Sequence, residues 1–280
     1  MVYEKVFLKD VFKGITTNAT LTSYVRSNSP EIEPDRKRPS VLICPGGGYY
    51  LTVDREAEPS ALAFLSKGYN AFVLDYSTRE ESDAVYPAQL LEASAAVAYI
   101  RRNSDRYHVK KDSVCICGFS AGGHLAANLG TMWTESFLSE TLELSEGENR
   151  PDGMILAYPV ITSGKYANKG SFQFLLNDEN PPEEMLEKLS LEKRVGKHTP
   201  PAFIWHTLTD DMVPVENSFL FAEAMKGAKV PFELHIYPEG VHGLGLGNRE
   251  TRDNKDFREN PHVESWFDLC AAWIDRFIDK

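Results

Sequence analysis

Basic residues are scarce in this chain relative to acidic ones. Its 280 residues include 30 Lys and Arg against 41 Asp and Glu, a formal net charge of −11 at pH 7. Nucleic acid is therefore not expected as a partner, because binding phosphates needs a basic face. An anionic membrane surface is disfavoured for the same reason. Long hydrophobic runs are missing too, and none approaches the roughly 20 residues that span a bilayer. The opening residues Met1-Val2-Tyr3-Glu4-Lys5 lack the basic and apolar regions of a secretory signal. Cysteine is rare: Cys44, Cys115, Cys117 and Cys270 make up the set, without the paired spacing of a zinc site. All four lie in apolar runs, and Cys115 and Cys117 share one face of a predicted strand. Free, buried thiols in a reducing cytoplasm are the expectation. Repeats, low-complexity tracts and interdomain linkers are also absent, so residues 1–280 are expected to form one domain.

What is present is ample core material, with 42% hydrophobic and 11% aromatic residues. Tyr3–Phe12 and Thr20–Val25 alternate like an antiparallel opening hairpin. A polar stretch from Ser27 to Pro39 reads as a loop. Apolar strands are then predicted at Ser40–Cys44, Ala71–Tyr76, Val114–Cys117, Gly153–Tyr158, Ala202–His206 and Phe232–Tyr237. Helices are predicted at about Glu58–Lys67, Pro87–Asn103, Val215–Gly227 and Pro261–Phe277. Strands of continuous apolar character alternating with helices indicate an α/β fold, a mostly parallel sheet covered on both faces. The polar segment Ile161–Pro201 breaks the rhythm, with a loop at Asn177–Pro182 and a short helix at Pro182–Leu191. It reads as an insertion at the strands' C-terminal edge, where ligands bind in open α/β sheets, or as a long surface connection.

One stretch carries chemistry. Gly118-Phe119-Ser120-Ala121-Gly122 follows the strand Val114–Cys117 and precedes the small-residue segment Gly123-His124-Leu125-Ala126-Ala127. A strand, a sharp turn centred on serine and a helix together form the nucleophile elbow of an α/β-hydrolase. The glycines avoid collisions with the neighbouring strand and helix, and the serine takes a strained backbone conformation. Its oxygen then stands next to the positive end of the following helix. Alone, the pattern also fits a glycine-rich turn with a solvated serine.

A serine hydroxyl needs a base, and the base needs an acid to fix its tautomer. On this fold they follow in the order Ser, Asp or Glu, His, each on a loop after a strand. Asp210 and Asp211 follow the strand that ends at His206. The spacing favours Asp210, and one of the two is expected to cap the helix that follows. His242 follows the strand Phe232–Tyr237 in a glycine-rich loop, which makes it the expected base. His206 and His235 lie within strands and read as packed, His124 as buried in the elbow helix, and His262 as a helix start. His108 and His198 lack strand context. An oxyanion hole needs two N–H donors. Ala121 supplies one, and the loop Pro45-Gly46-Gly47-Gly48-Tyr49 supplies another from Gly46, Gly47 or Gly48. A phosphate loop fits poorly there, because neither G-x-G-x-x-G nor a Walker A spacing is present.

These motifs resemble the α/β-hydrolase superfamily over nearly the whole chain, with an eight-stranded-type sheet. Within it the chain is most similar to carbohydrate esterases of the acetyl xylan esterase group. The matching pieces are Pro45–Tyr49 with Arg55-Glu56, Val73–Tyr76, Gly118–Ala126, Pro200–Thr207, Asp210 through Ser218, and Pro231–Pro238 leading to His242-Gly243. The oxyanion motif departs from the hormone-sensitive-lipase pattern, with Pro45 where histidine precedes the glycines. The resemblance implies a serine esterase with Ser120, Asp210 and His242 as its triad. It implies a short acyl group, acetyl above all, on a sugar. An arylformamidase, another amidase or a lipase-like esterase shares the same motifs. No metal or organic cofactor is needed for this chemistry. The expected partner is a small-molecule ester, and a homo-oligomer is left open.

Overall fold

The computed structural model describes residues 1–252 and 259–279. Among the described residues eight strands form one sheet: β1 (Val2–Phe7), β2 (Thr20–Val25), β3 (Arg38–Cys44), β4 (Asn70–Asp75), β5 (Val109–Phe119), β6 (Gly153–Ala157), β7 (Ala202–Thr207) and β8 (Phe232–Tyr237). Their spatial order is β1-β2-β4-β3-β5-β6-β7-β8. β1 and β2 run antiparallel to their neighbours, and all pairings from β4 to β8 are parallel. The α/β-hydrolase arrangement expected from the sequence is thus observed.

Strand periodicity explains the two-sided core. Leu42, Ile116, Leu156 and Ile204 face one apolar cluster, while Ile43, Cys117, Ala157 and Trp205 face the other. Both faces are covered, so the strands are apolar at consecutive positions rather than alternating. Helices α2 (Ala88–Arg102), α3 (Ala121–Met132) and α7 (Glu216–Ala228) close the first face, and α1 (Glu58–Ser66) and α8 (Pro261–Phe277) close the second. Cys115, Cys117 and Cys270 share the second cluster, and all four cysteines are free and buried.

The structure corrects the sequence reading in four places. β5 begins at Val109, well before the strand predicted from Val114. The first strand stops at Phe7 rather than Phe12. Residues Leu8–Asp10 form a short 3₁₀ turn instead, and the Phe12 N–H bonds to the Leu8 carbonyl. One-turn spacing buries Leu8 and Phe12 on the same side as well as strand spacing would. A helix α4 (Ser136–Leu142) lies in a stretch left unassigned, burying Leu138 and Leu142 four residues apart. The insertion between β6 and β7 contains two helices, α5 (Lys169–Leu176) and α6 (Glu183–Lys188), not one. The missed helix carried a readable signal. Asn168 caps it by accepting the Ser171 N–H at 3.1 Å, ahead of the apolar pair Phe172 and Leu175.

Candidate active site

The turn at Ser120 is built by crowding. Ser120 sits at φ 53° and ψ −118° between β5 and α3. This left-handed conformation is strained for a residue with a Cβ. It is held because the Ser120 N–H bonds to the Ala157 carbonyl at 3.0 Å, and the Ser120 carbonyl accepts the Val160 and His124 N–H groups. Neither flanking glycine could carry a side chain. A Cβ at Gly118 would lie 2.0 Å from the Gly122 carbonyl oxygen, and one at Gly122 would lie 2.0 Å from that of Cys44. These are the close approaches that the sequence pattern required.

Ser120, Asp210 and His242 meet at the C-terminal edge of the sheet, although Ser120 and His242 are 122 residues apart in sequence. His242 Nε2 is 2.7 Å from Ser120 Oγ, and His242 Nδ1 is 2.7 Å from Asp210 Oδ2. The carboxylate can only accept, so Nδ1 carries the proton and Nε2 accepts from the serine hydroxyl. Such a chain can take the serine proton as the oxygen attacks a carbonyl.

Asp210 rather than Asp211 makes this contact, but neither caps the helix that follows: the N-cap of α7 is Val215, without a side-chain cap bond, and Asp210 instead ties down its own loop. Its Oδ1 accepts the N–H groups of Met212 at 3.0 Å and Val213 at 2.9 Å. Burial opposes its ionisation, but hydrogen bonds from His206 and His242 outweigh this and hold the carboxyl well below the usual carboxylate range. His206 is thus more than a packed strand residue. Its Nε2 lies 3.3 Å from Asp210 Oδ2 and 2.9 Å from the Val213 carbonyl. Its Nδ1 faces the Ser218 hydroxyl at 2.8 Å. The acid loop is latched to the histidine loop as well: Thr207 and Thr209 both donate to the Gly240 carbonyl.

The third element is the glycine loop after β3. Gly47 (φ +130°) and Gly48 (φ +68°) adopt backbone conformations that favour glycine, and a Cβ at Gly47 would lie 2.0 Å from the Leu51 carbonyl oxygen. Both line the cavity that contains Ser120. Gly46 is different and must be removed from the expected donors. Its N–H already donates to Glu56 Oε2 at 2.7 Å. Across the turn, Ala121 is the first residue of α3, so its N–H has no partner within the helix.

The cavity has a volume of about 380 Å³. Its walls come from the glycine loop, from Ser120 and His242, and from the insertion through Asn168, Gly170, Ser171 and Phe174. Tyr50 and Phe174 pair at its rim with ring centroids 5.1 Å apart, and both are exposed. A larger cavity of about 870 Å³ over α1 and the edge strands contains none of the expected site residues. Behind the serine, buried His124 joins three segments. Its Nε2 donates to the Leu189 carbonyl at 2.9 Å, so Nδ1 accepts the Tyr49 hydroxyl, also at 2.9 Å. Burial drives its pKa down to about 4, so it is neutral at pH 7. Among the described residues no group of three or more His, Cys, Asp or Glu is arranged to hold a metal ion. No described helix is long and apolar enough to cross a membrane.

Comparison with known proteins places this chain in a family. The BD-FAE family profile matches residues 29–225. Endo-1,4-beta-xylanase B of Butyrivibrio fibrisolvens is 43% identical over 217 residues, covering 77% of this chain and 34% of that protein. Acetylxylan esterase of Xylanibacter ruminicola is 32% identical over 213 residues, covering 74% of this chain and 41% of that protein. The chain therefore spans well under half the length of these two relatives. Among solved structures, the acetyl ester-xyloside bifunctional hydrolase of Caldicellulosiruptor lactoaceticus is 36% identical with a TM-score of 0.79, covering 93% of this chain and 88% of that one. Carboxylesterase Cest-2923 of Lactobacillus plantarum is 27% identical with a TM-score of 0.85, covering 98% of this chain and 97% of that one. The chain belongs to the BD-FAE family and has the α/β-hydrolase fold.

Proposed function

We propose that this protein hydrolyses short-chain esters, acetyl esters of sugars or xylo-oligosaccharides above all, through Ser120, His242 and Asp210. The observation that carries the reading is the pair of 2.7 Å contacts joining Ser120 Oγ to His242 and His242 to Asp210 at the wall of a cavity. Ser120 Oγ attacks the ester carbonyl while His242 Nε2 takes its proton. Negative charge gathers on the carbonyl oxygen, and the N–H groups of Ala121 and of Gly47 or Gly48 stabilise it. Collapse of this intermediate breaks the bond to the alcohol oxygen, which takes the proton back from His242. Water then attacks the acyl-serine with His242 as base, releasing the carboxylic acid and restoring the serine. Asp210 keeps the imidazole in the required tautomer and steadies its cationic form.

The acetyl group and the sugar rest on the names of the relatives, supported by two rim aromatics whose faces suit the C–H surface of a sugar ring. The residues 1–280 are read as a single domain. Four buried thiols fit a reducing compartment such as the cytoplasm. The test is a substrate panel of acetylated xylo-oligosaccharides, p-nitrophenyl esters of rising chain length, and N-formylkynurenine. The account expects the highest kcat/KM on acetyl esters, with a fall as the acyl chain lengthens. Preference for N-formylkynurenine would make the protein an amidase instead.

A further inference from the structure

Glu56 belongs to the Arg55-Glu56 pair that matches the carbohydrate-esterase motifs, and it lies in a short 3₁₀ turn (Asp54–Glu56) ahead of α1. The fold buries it to 2% exposure. A buried carboxylate is costly unless each oxygen finds a donor. Here each does. Glu56 Oε2 accepts the Gly46 N–H at 2.7 Å, and Oε1 accepts the Tyr158 hydroxyl at 2.7 Å. Burial pushes the carboxyl above its usual range, while these two donors favour the ionised form.

Both donors adjoin the candidate site, and Glu56 itself is among the residues that line its cavity. Gly46 opens the loop whose next two residues line the cavity, and a Cβ built on it would lie 2.9 Å from Ser120 Cβ. The loop thus rests directly on the elbow. Tyr158 follows β6, and its hydroxyl accepts the Gly245 N–H at 2.9 Å. Its ring stands edge-on to the His242 ring, with centroids 5.1 Å apart. One carboxylate therefore connects the glycine loop, through Tyr158, to the loop that carries His242.

We propose that Glu56 is a positioning residue for ester hydrolysis, pinning the Gly46 N–H so that the Gly47 and Gly48 N–H groups face the developing oxyanion. The inference rests on the esterase reading above. The contribution required is acceptance of a hydrogen bond, not the charge. Gln can present a carbonyl oxygen to Gly46 and turn its amide to Tyr158, whose oxygen can accept. Met fills similar space but accepts only weakly. A misaimed oxyanion donor penalises the transition state rather than substrate binding.

The test compares Glu56→Met, Glu56→Gln and Tyr158→Phe with wild type on p-nitrophenyl acetate, with kcat expressed per active site titrated by a fluorophosphonate. Glu56→Met is expected to lose kcat by ~30-fold or more with KM within about threefold, and Glu56→Gln to stay within about threefold of wild type in both. Tyr158→Phe is expected to lose kcat by ~5-fold, and it keeps the proposal testable if the Met variant does not fold. Equal kcat in the Met and Gln variants, a loss confined to KM, or an unchanged Tyr158→Phe when the Met variant fails to fold, overturns the positioning role. A wild type that neither hydrolyses esters nor takes up the fluorophosphonate sinks the esterase reading itself, a result separable from an active wild type beside an equally active Glu56→Met.

Discussion

The Ser120 wall of the cavity is fixed by backbone crowding, whereas the Asp210–His242 wall is fixed by side-chain hydrogen bonds. On the first wall, carbonyl oxygens stand 2.0 Å from where side chains at Gly118 and Gly122 would begin, and Ser120 is held at positive φ. On the second, Asp210 takes donors from two histidines and two backbone N–H groups, and threonines latch its loop to Gly240. Sterics allow almost no substitution. A polar network tolerates isosteric changes in shape while losing its electrostatics. Substitutions at the glycines of the first wall should therefore fail in stability, and variants on the second in turnover.

Among the variants that test this contrast, the largest expected effect belongs to the polar wall. Asp210→Asn preserves shape but can turn an amide N–H towards His242, favouring the wrong tautomer. Its kcat should fall ~10³-fold or more with the melting temperature nearly unchanged. Steady-state kinetics beside thermal melting check this, and a collapse of stability would erase the contrast between the walls.

Next comes the crowded wall. Gly122→Ala forces a methyl group against the Cys44 and Pro45 carbonyls. A loss of about 3 kcal/mol is expected in urea unfolding, at the upper end of overpacking costs. A stable, fully active variant would show that crowding does not set the elbow.

Acid should weaken the junction behind the serine by a similar amount. His124 has a folded pKa near 4 against an ordinary value of 6.5, so the unfolded chain binds more protons between these limits. Its contribution is intact above pH 6.5 and is lost as pH falls through that window, about 3 kcal/mol in all. Urea midpoints from pH 7 to pH 4 read the slope, which should flatten in His124→Gln.

The smallest effect lies at the rim. Phe174→Ala removes half of the aromatic pair with Tyr50. KM for acetylated xylo-oligosaccharides should rise by ~3–10-fold, about 1 kcal/mol, with p-nitrophenyl acetate hardly affected. Equal effects on both substrates would remove the rim from sugar binding.

The same contrast explains what the sequence disclosed. Crowding at a turn demands glycine at fixed offsets, so Gly118, Ser120 and Gly122 are visible as a local pattern. Asp210 and His242 were legible because each follows a strand end in the order this fold uses. Glu56 appeared only as part of the Arg55-Glu56 match and Tyr158 only as a strand end, and their joint role was not legible because it arises from their meeting across 102 residues of chain. His206 was read as packed, which is true, but its bond to Asp210 depends on how the turn after β7 folds back. Gly46 could not be separated from Gly47 and Gly48 by composition, since only the buried Glu56 carboxylate distinguishes its N–H. Helix α5 was hidden in a polar insertion, where one cap and two apolar residues were weaker signals than the surrounding polarity.

The central claim is that Ser120 is the acyl-accepting nucleophile. Its most direct test is to label the wild-type protein with a fluorophosphonate, map the modified peptide by mass spectrometry, and assay Ser120→Ala on p-nitrophenyl acetate. The account predicts a single adduct on Ser120 and a loss of turnover of ~10⁴-fold or more in the variant. An adduct on another residue, or turnover in Ser120→Ala close to that of wild type, would contradict it.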